Sequence, residues 1–135
     1  MARQPLPAIA AAISFIDCIN RGDLDGLTEL MTDDHVLVVR DEPPLAGRSN
    51  NRQAWRGYFT SSPNYVIYPR HIAGDATSVA VLGTTTGSHL ELPDEQEMEL
   101  QVIWSAEVLD GRLSLWRVAE DTPELRHQMG IPATA

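Results

Sequence analysis

Two adjacent carboxylates, Glu120 and Asp121, stand where a strand gives way to a helix, and they are the candidates for acid–base chemistry. A carboxyl group set against apolar side chains has a raised pKa and can move protons at a carbon next to a carbonyl. Strand alternation puts Glu120 on the side of Trp116 and Val118, whereas a one-residue bulge would turn Asp121 inward instead. Asp121-Thr122-Pro123 is equally an ordinary helix opening, in which an acidic side chain accepts from the first free amides. His35 shares a strand face with Asp41. It reads either as a polar pocket group or as a residue at the rim of its strand.

The other chemistry-bearing side chains read more plainly. Trp55, Trp104 and Trp116 read as core, although around an enclosed pocket the core wall and the pocket wall share residues. Arg48, Arg52 and Arg56 fall at helical spacing and read as a solvated stripe paired with nearby carboxylates. Cys18, inside the first helix with no histidine partner, reads as a buried inert thiol. Asp94-Glu95-Gln96-Glu97 reads as a solvated hairpin tip. His71, His89 and His127 show no ligand spacing and no cysteine companion, so no metal site is expected. No cofactor is implied.

Composition narrows the classes. The chain has 135 residues, 43% hydrophobic and 21% charged, as expected of one globular domain spanning 1–135. All ten basic residues are arginine. Without lysine there is no Schiff-base chemistry, no pyridoxal phosphate anchor and no phosphate-loop lysine. A formal charge of −9 argues against a nucleic-acid partner. No apolar run is long enough to cross a bilayer, and Met1–Pro7 lacks the layout of a secretion signal. With Cys18 alone no internal disulfide can form, and a cytoplasmic location is the simplest reading.

These side chains must be positioned by helices first and strands later. Ile9, Ala12, Ile13, Ile16 and Ile19 recur at helical spacing behind Pro5 and Pro7, and Gly22 stops the helix. Asp23 caps a second helix with Leu24, Leu27, Leu30 and Met31 on its apolar face. A third starts at Ser49, presents Trp55, Tyr58 and Phe59, and closes at Pro63. An early strand alternates His35, Leu37, Val39 and Asp41 against Val36, Val38 and Arg40. Strands over about 65–72 and 79–89 join at Gly74-Asp75, and Met98 through Val108 alternates most clearly. A last strand over about 112–120 follows Asp110-Gly111, and Thr122-Pro123-Glu124 opens a helix ending at Gly130. Helices first and a strand meander later predict an α+β fold. Its curved, mainly antiparallel sheet wraps the three N-terminal helices on its concave face and leaves a pocket at the enclosed end.

Gly22-Asp23-Leu24-Asp25 with Leu30-Met31 and Asp33-Asp34 resembles the second helix of the nuclear transport factor 2-like superfamily, as does Pro43-Pro44-Leu45-Ala46-Gly47-Arg48 ahead of the third helix. Gly111-Arg112-Leu113 through Trp116, Asp121 and Gln128-Met129-Gly130 resembles the SnoaL-like polyketide cyclases. The resemblance implies a cone of curved sheet, the cystatin-like α+β barrel, commonly dimeric through the sheet. Asp121 falls at the position of the cyclases' catalytic aspartate, while the neighbouring strand, where they tend to carry a histidine, has none; Glu107 is the nearest titratable group there. The roles of a ketosteroid isomerase fall on Val39, Phe15 and Trp104, none of which can carry or remove a proton. That activity is therefore not expected.

Two functions remain open at this point. The first is a domain binding a small, mostly apolar molecule, with Phe15, Val39, Trp55, Tyr58, Trp104, Trp116, Val118 and His35 as the wall. The second is a cofactor-free acid–base enzyme acting on a small carbonyl compound through Asp121 or Glu120. A homodimer through the outer sheet face is also expected, because Leu113, Leu115 and Ile103 lie opposite Trp116, Val118 and Trp104 and need cover.

Overall fold

A computed structural model describes residues 6–135; Pro5 lies outside them. Helix α1 (Ala8–Arg21) starts after Pro7 and ends at Gly22, whose φ of 64° is the left-handed stop that glycine tolerates. Its buried face differs from the expected one. Phe15, Ile16 and Ile19 point inward with Ala8, Ala11 and Ala12, while Ile9 and Ile13 face solvent. Helix α2 (Leu24–Glu29) is short and is capped by Asp23, whose carboxylate accepts from the Gly26 amide at 3.0 Å. Such a cap contributes about 1 kcal/mol. Met31 does not extend this helix; it opens β1 (Met31–Val39).

The two-residue β2 (Leu45–Ala46), which periodicity did not reveal, pairs antiparallel with β1 and leads into α3 (Arg48–Ser61). Strands β3 (Val66–Gly74) and β4 (Ser78–Thr86) form the hairpin expected at Gly74-Asp75. A helical turn, α4 (Asp94–Glu97), then precedes β5 (Val102–Leu109), β6 (Arg112–Glu120) and α5 (Pro123–Met129). The sheet order is β2-β1-β6-β5-β4-β3, antiparallel throughout except between β1 and β6. The result is the expected α+β architecture, a curved and unclosed sheet with helices on its concave side.

Curvature has local causes. Arg70 is an extra residue in β3 between the pairs Pro69–Gly83 and His71–Leu82, and such bulges bend and twist a strand. A Cβ at Gly83 would come within 2.3 Å of the Tyr68 carbonyl oxygen, so only glycine fits beside that bulge. Ser114 is a second bulge, because Glu107 pairs with Leu115 and Val108 with Leu113. It turns Leu113 and Trp116 to the same, inward face. Leu113 is accordingly buried in the main core with Phe15, Trp104 and Trp116.

Two expectations drawn from alternation are corrected here. Met98 and Leu100 belong to no strand and are half exposed, because α4 occupies the chain just before them. Of Asp94–Glu97 the first three are exposed as expected, but Glu97 is buried, taking a hydrogen bond from the Thr85 hydroxyl and one from the Ser88 amide at 3.4 Å. The outer sheet face is also partly covered from within the chain. Ile131, Leu125 and Met129 pack on Ala80, Leu82 and Ile103. Of the three residues that made a dimer face, Leu113 is inward, Ile103 is covered and Leu115 is half-buried. Among the described residues no helix is long and apolar enough to cross a membrane.

Candidate functional site

Alternation along β1 and β6 places Leu37, Val39 and Val118 on the concave face, and α3 lays Ala54, Trp55 and Tyr58 opposite them. Between these walls is a half-open cavity of about 370 Å³. Tyr65, His89 and Glu42 complete its lining. Four of the eight residues expected to form the wall do so: Val39, Trp55, Tyr58 and Val118. Phe15, Trp104, Trp116 and His35 are absent from the lining. Phe15 lies 4.9 Å from Trp116, 5.9 Å from His35 and 6.5 Å from Trp55, ring centre to ring centre, forming an aromatic layer. Trp55 belongs to both the layer and the cavity wall.

Polarity is gathered in one part of the cavity. The Tyr58 ring stands edge-on to Tyr65 at 5.0 Å and to His89 at 5.7 Å. The Tyr58 hydroxyl accepts from the His89 backbone amide at 3.2 Å and lies 3.0 Å from His89 Nδ1. Burial raises the pKa of the Tyr58 phenol, which therefore stays protonated and can donate to or accept from His89 Nδ1 according to the imidazole tautomer. The Tyr65 phenol is pushed above its ordinary range, first by burial and then by the neighbouring Tyr58 and Glu97. The indole of Trp104 approaches it without forming a well-shaped hydrogen bond. Glu42, exposed on the turn after β1, is the one carboxylate of the lining among the described residues.

His35 is neither a rim residue nor a cavity residue. The β1–β6 ladder is irregular between Met31 and Val36, and the Leu113 carbonyl there takes a hydrogen bond from His35 Nδ1 at 2.6 Å. The ring is fully buried, and burial lowers its pKa so that it stays neutral. The His35 carbonyl accepts from the Gly47 amide at 2.8 Å and from the Asn51 side chain at 3.2 Å, which ties β1 to the start of α3.

The two candidate carboxylates do not line the cavity either. Glu120 is exposed and pairs with Arg40. Asp121 is mostly buried but is held in a two-point pair by Arg126, at 2.6 Å to Nε and 2.7 Å to Nη2. That guanidinium holds the Asp121 carboxyl below its ordinary value of 3.8, the opposite of the raised pKa a proton shuttle requires. The absence of lysine does not leave Asp121 uncompensated, because arginine one helical turn on supplies the charge. Asp121 is not the helix cap; Thr122 accepts from the Leu125 amide at 3.1 Å. Arg48 and Arg52 pair with Asp33 and Asp25, as their stripe implied. Cys18 is buried, and burial raises its pKa.

Reading the sequence missed Tyr65, His89, Leu37, Ala54 and Glu42 as cavity residues. Leu37 was legible, since it shares the strand face of Val39. His89 was not, because it reaches Tyr58 from 31 residues away in a loop without periodicity.

The SnoaL-like domain family matches residues 12–116. No curated protein matches the sequence. Among solved structures, a cystatin-fold protein of unassigned role from Novosphingobium aromaticivorans is 17% identical, covering 84% of this chain and 97% of its own with a TM-score of 0.70. A polyketide cyclase candidate from Sinorhizobium meliloti is 22% identical, covering 84% and 94%, TM-score 0.66. An epoxide hydrolase of the LEH-like type from M. tuberculosis is 19% identical, covering 90% and 88%, TM-score 0.66.

Proposed function

The chain belongs to the SnoaL-like domain family, and from that premise we propose that it binds one small, mostly apolar molecule carrying a hydroxyl or carbonyl at one end. A single observation carries this reading: the cavity of about 370 Å³ has apolar walls and gathers Tyr58, Tyr65 and His89 in one region. Its size lies in the range of roughly 300–1,000 Å³ usual for ligand pockets, which are mostly apolar with a few fixed polar groups. Leu37, Val39, Trp55 and Val118 would hold a flat hydrocarbon body, and Tyr65 or the His89 imidazole would meet its oxygen. The similar solved structures include proteins named for epoxide hydrolysis and polyketide cyclisation, which is consistent with a small organic ligand. Fold alone carries no activity. An acid–base role for Asp121 or Glu120 gains no support, because both carboxylates are engaged by arginines away from the cavity.

2-Naphthol is a suitable probe: flat, apolar, with one hydroxyl. Calorimetric titration is expected to show saturable binding of one molecule per chain. Ala54→Phe, at an exposed helical position bordering the cavity, should weaken that binding by about tenfold or more without lowering thermal stability. Binding that is undiminished by the substitution would place the probe elsewhere and overturn the reading.

A further inference from the structure

A second cavity, of about 310 Å³, adjoins the first and shares one wall residue with it, His89. Its chemistry is different. Where the first is walled mostly by hydrocarbon, the second adds Ser61, Ser62, Asn64, Ser88 and Glu91 to the apolar Pro63 and Leu92. We propose that this second cavity receives a neutral, multiply hydroxylated group, a sugar or polyol, carried on the same ligand whose apolar body fills the first. The proposal rests on the reading of the first cavity and adds the class of substituent.

The groups fit such a partner. A sugar hydroxyl both donates and accepts, and it is best met by side chains that do the same or that offer a lone acceptor. The Asn64 amide does both, and the Glu91 carboxylate only accepts. Ser61 already donates to the Tyr58 carbonyl and the Ser88 hydroxyl already accepts from the Leu90 amide, which leaves each serine its remaining role. The Asn64 and Glu91 side chains make no hydrogen bond of their own among the described residues, so they stand ready for a ligand. Among the described residues no arginine borders this cavity, and Glu91 would repel a phosphate or carboxylate.

The wall is also built rather than incidental. Gly87 has a φ of 69°, and a Cβ there would fall 2.3 Å from the Asn64 carbonyl oxygen. Glycine therefore lets the two loops close against each other and form the cavity. Glu91 is held at a φ of 57°, a left-handed conformation that a non-glycine residue adopts at a cost. His89 sits on the shared wall with Nδ1 paired to the Tyr58 hydroxyl, and its Nε2, without a partner among the described residues, can meet the oxygen linking body and sugar.

Three probes test this by calorimetry: 2-naphthol, 2-naphthyl β-D-glucopyranoside and 2-naphthyl β-D-glucuronide. The glucoside is expected to bind about tenfold tighter than 2-naphthol, and the glucuronide more weakly than the glucoside. The double variant Asn64→Ala with Glu91→Gly, which also relieves the left-handed backbone, should erase the glucoside's advantage and leave 2-naphthol affinity unchanged. A protein that binds 2-naphthol but gains nothing from the sugar overturns this inference alone. Failure to bind 2-naphthol takes both readings down together. A glucuronide bound as tightly as the glucoside overturns the assignment of a neutral group. Equal loss of 2-naphthol and glucoside binding in the variant overturns the separation of the two cavities.

Discussion

Arg126→Ala is expected to lower Tm by several degrees and to release the C-terminal segment from the outer face of the sheet. Arg126 does three kinds of work, two through its guanidinium and one through its backbone. It binds both oxygens of Asp121, and Nη1 donates to the carbonyls of Pro132, Ala133 and Ala135 at 3.3, 3.1 and 3.0 Å. Its own carbonyl accepts from the Ile131 amide at 2.9 Å, and Ile131 is the side chain that covers Ala80, Leu82 and Ile103. Removing the guanidinium leaves a mostly buried carboxylate without its partner, which is more damaging than losing the pair as a unit. Arg126→Lys should recover little, because an ammonium cannot reproduce the two-point contact and the carbonyl contacts at once.

The measurements are a thermal melt, limited proteolysis of the tail and sedimentation. The tail should become cleavable, and the uncovered apolar face should drive self-association, the dimer surface that alternation implied. The effect has a pH signature. The folded pKa of Asp121 lies below the ordinary 3.8, so its contribution is complete above that value and is lost as pH falls through the lowered one. That part of the acid limb should be missing in the variant. An unchanged Tm and a protected tail would refute the clamp. Asp121→Asn should also destabilise, in contrast to the unchanged stability that a purely catalytic aspartate would show.

The second large effect lies at His35. Burial lowers its folded pKa below the ordinary 6.5, so the unfolded chain takes up a proton at this residue before the folded one does. Stability contributed by the neutral imidazole is therefore complete above 6.5 and declines as pH falls from there to the lowered folded value. The limiting slope is about 1.4 kcal/mol per pH unit for one proton. His35→Phe removes this titration and takes from the Leu113 carbonyl its short hydrogen bond from His35 Nδ1 at 2.6 Å, leaving it the longer one from the Thr32 hydroxyl at 3.4 Å. The loss of such a hydrogen bond costs roughly 0.5–1.5 kcal/mol. Urea unfolding across pH 7 to about 5 should find the variant less stable at neutral pH and flatter toward acid. A variant with the same pH dependence as the native chain would show that His35 is not the group responsible.

What the sequence determined by itself is what local physics determines. Pro7 and Gly22 bound α1, Asp23 caps α2, and Thr122-Pro123 with Gly130 bound α5, because capping and the φ preferences of proline and glycine act within one helical turn. The α+β class followed from the change of period along the chain, and the wall residues Val39 and Val118 followed from alternation. Long-range pairing decided the rest. Alternation placed Leu113 outside, but the Ser114 bulge, visible only in the register with β5, turned it in. His35 looked like a rim residue because the carbonyl it satisfies lies 78 positions away on β6. Asp121 was judged by its strand and its neighbours, whereas its fate was set by the tail that Arg126 binds and the outer face the tail covers. The polar part of the cavity joins Tyr58 on a helix to His89 in a loop, and no periodicity links the two. A bulge, a carbonyl's distant partner and a loop–helix contact are consequences of which strands and loops meet, so only the tertiary structure could assign them.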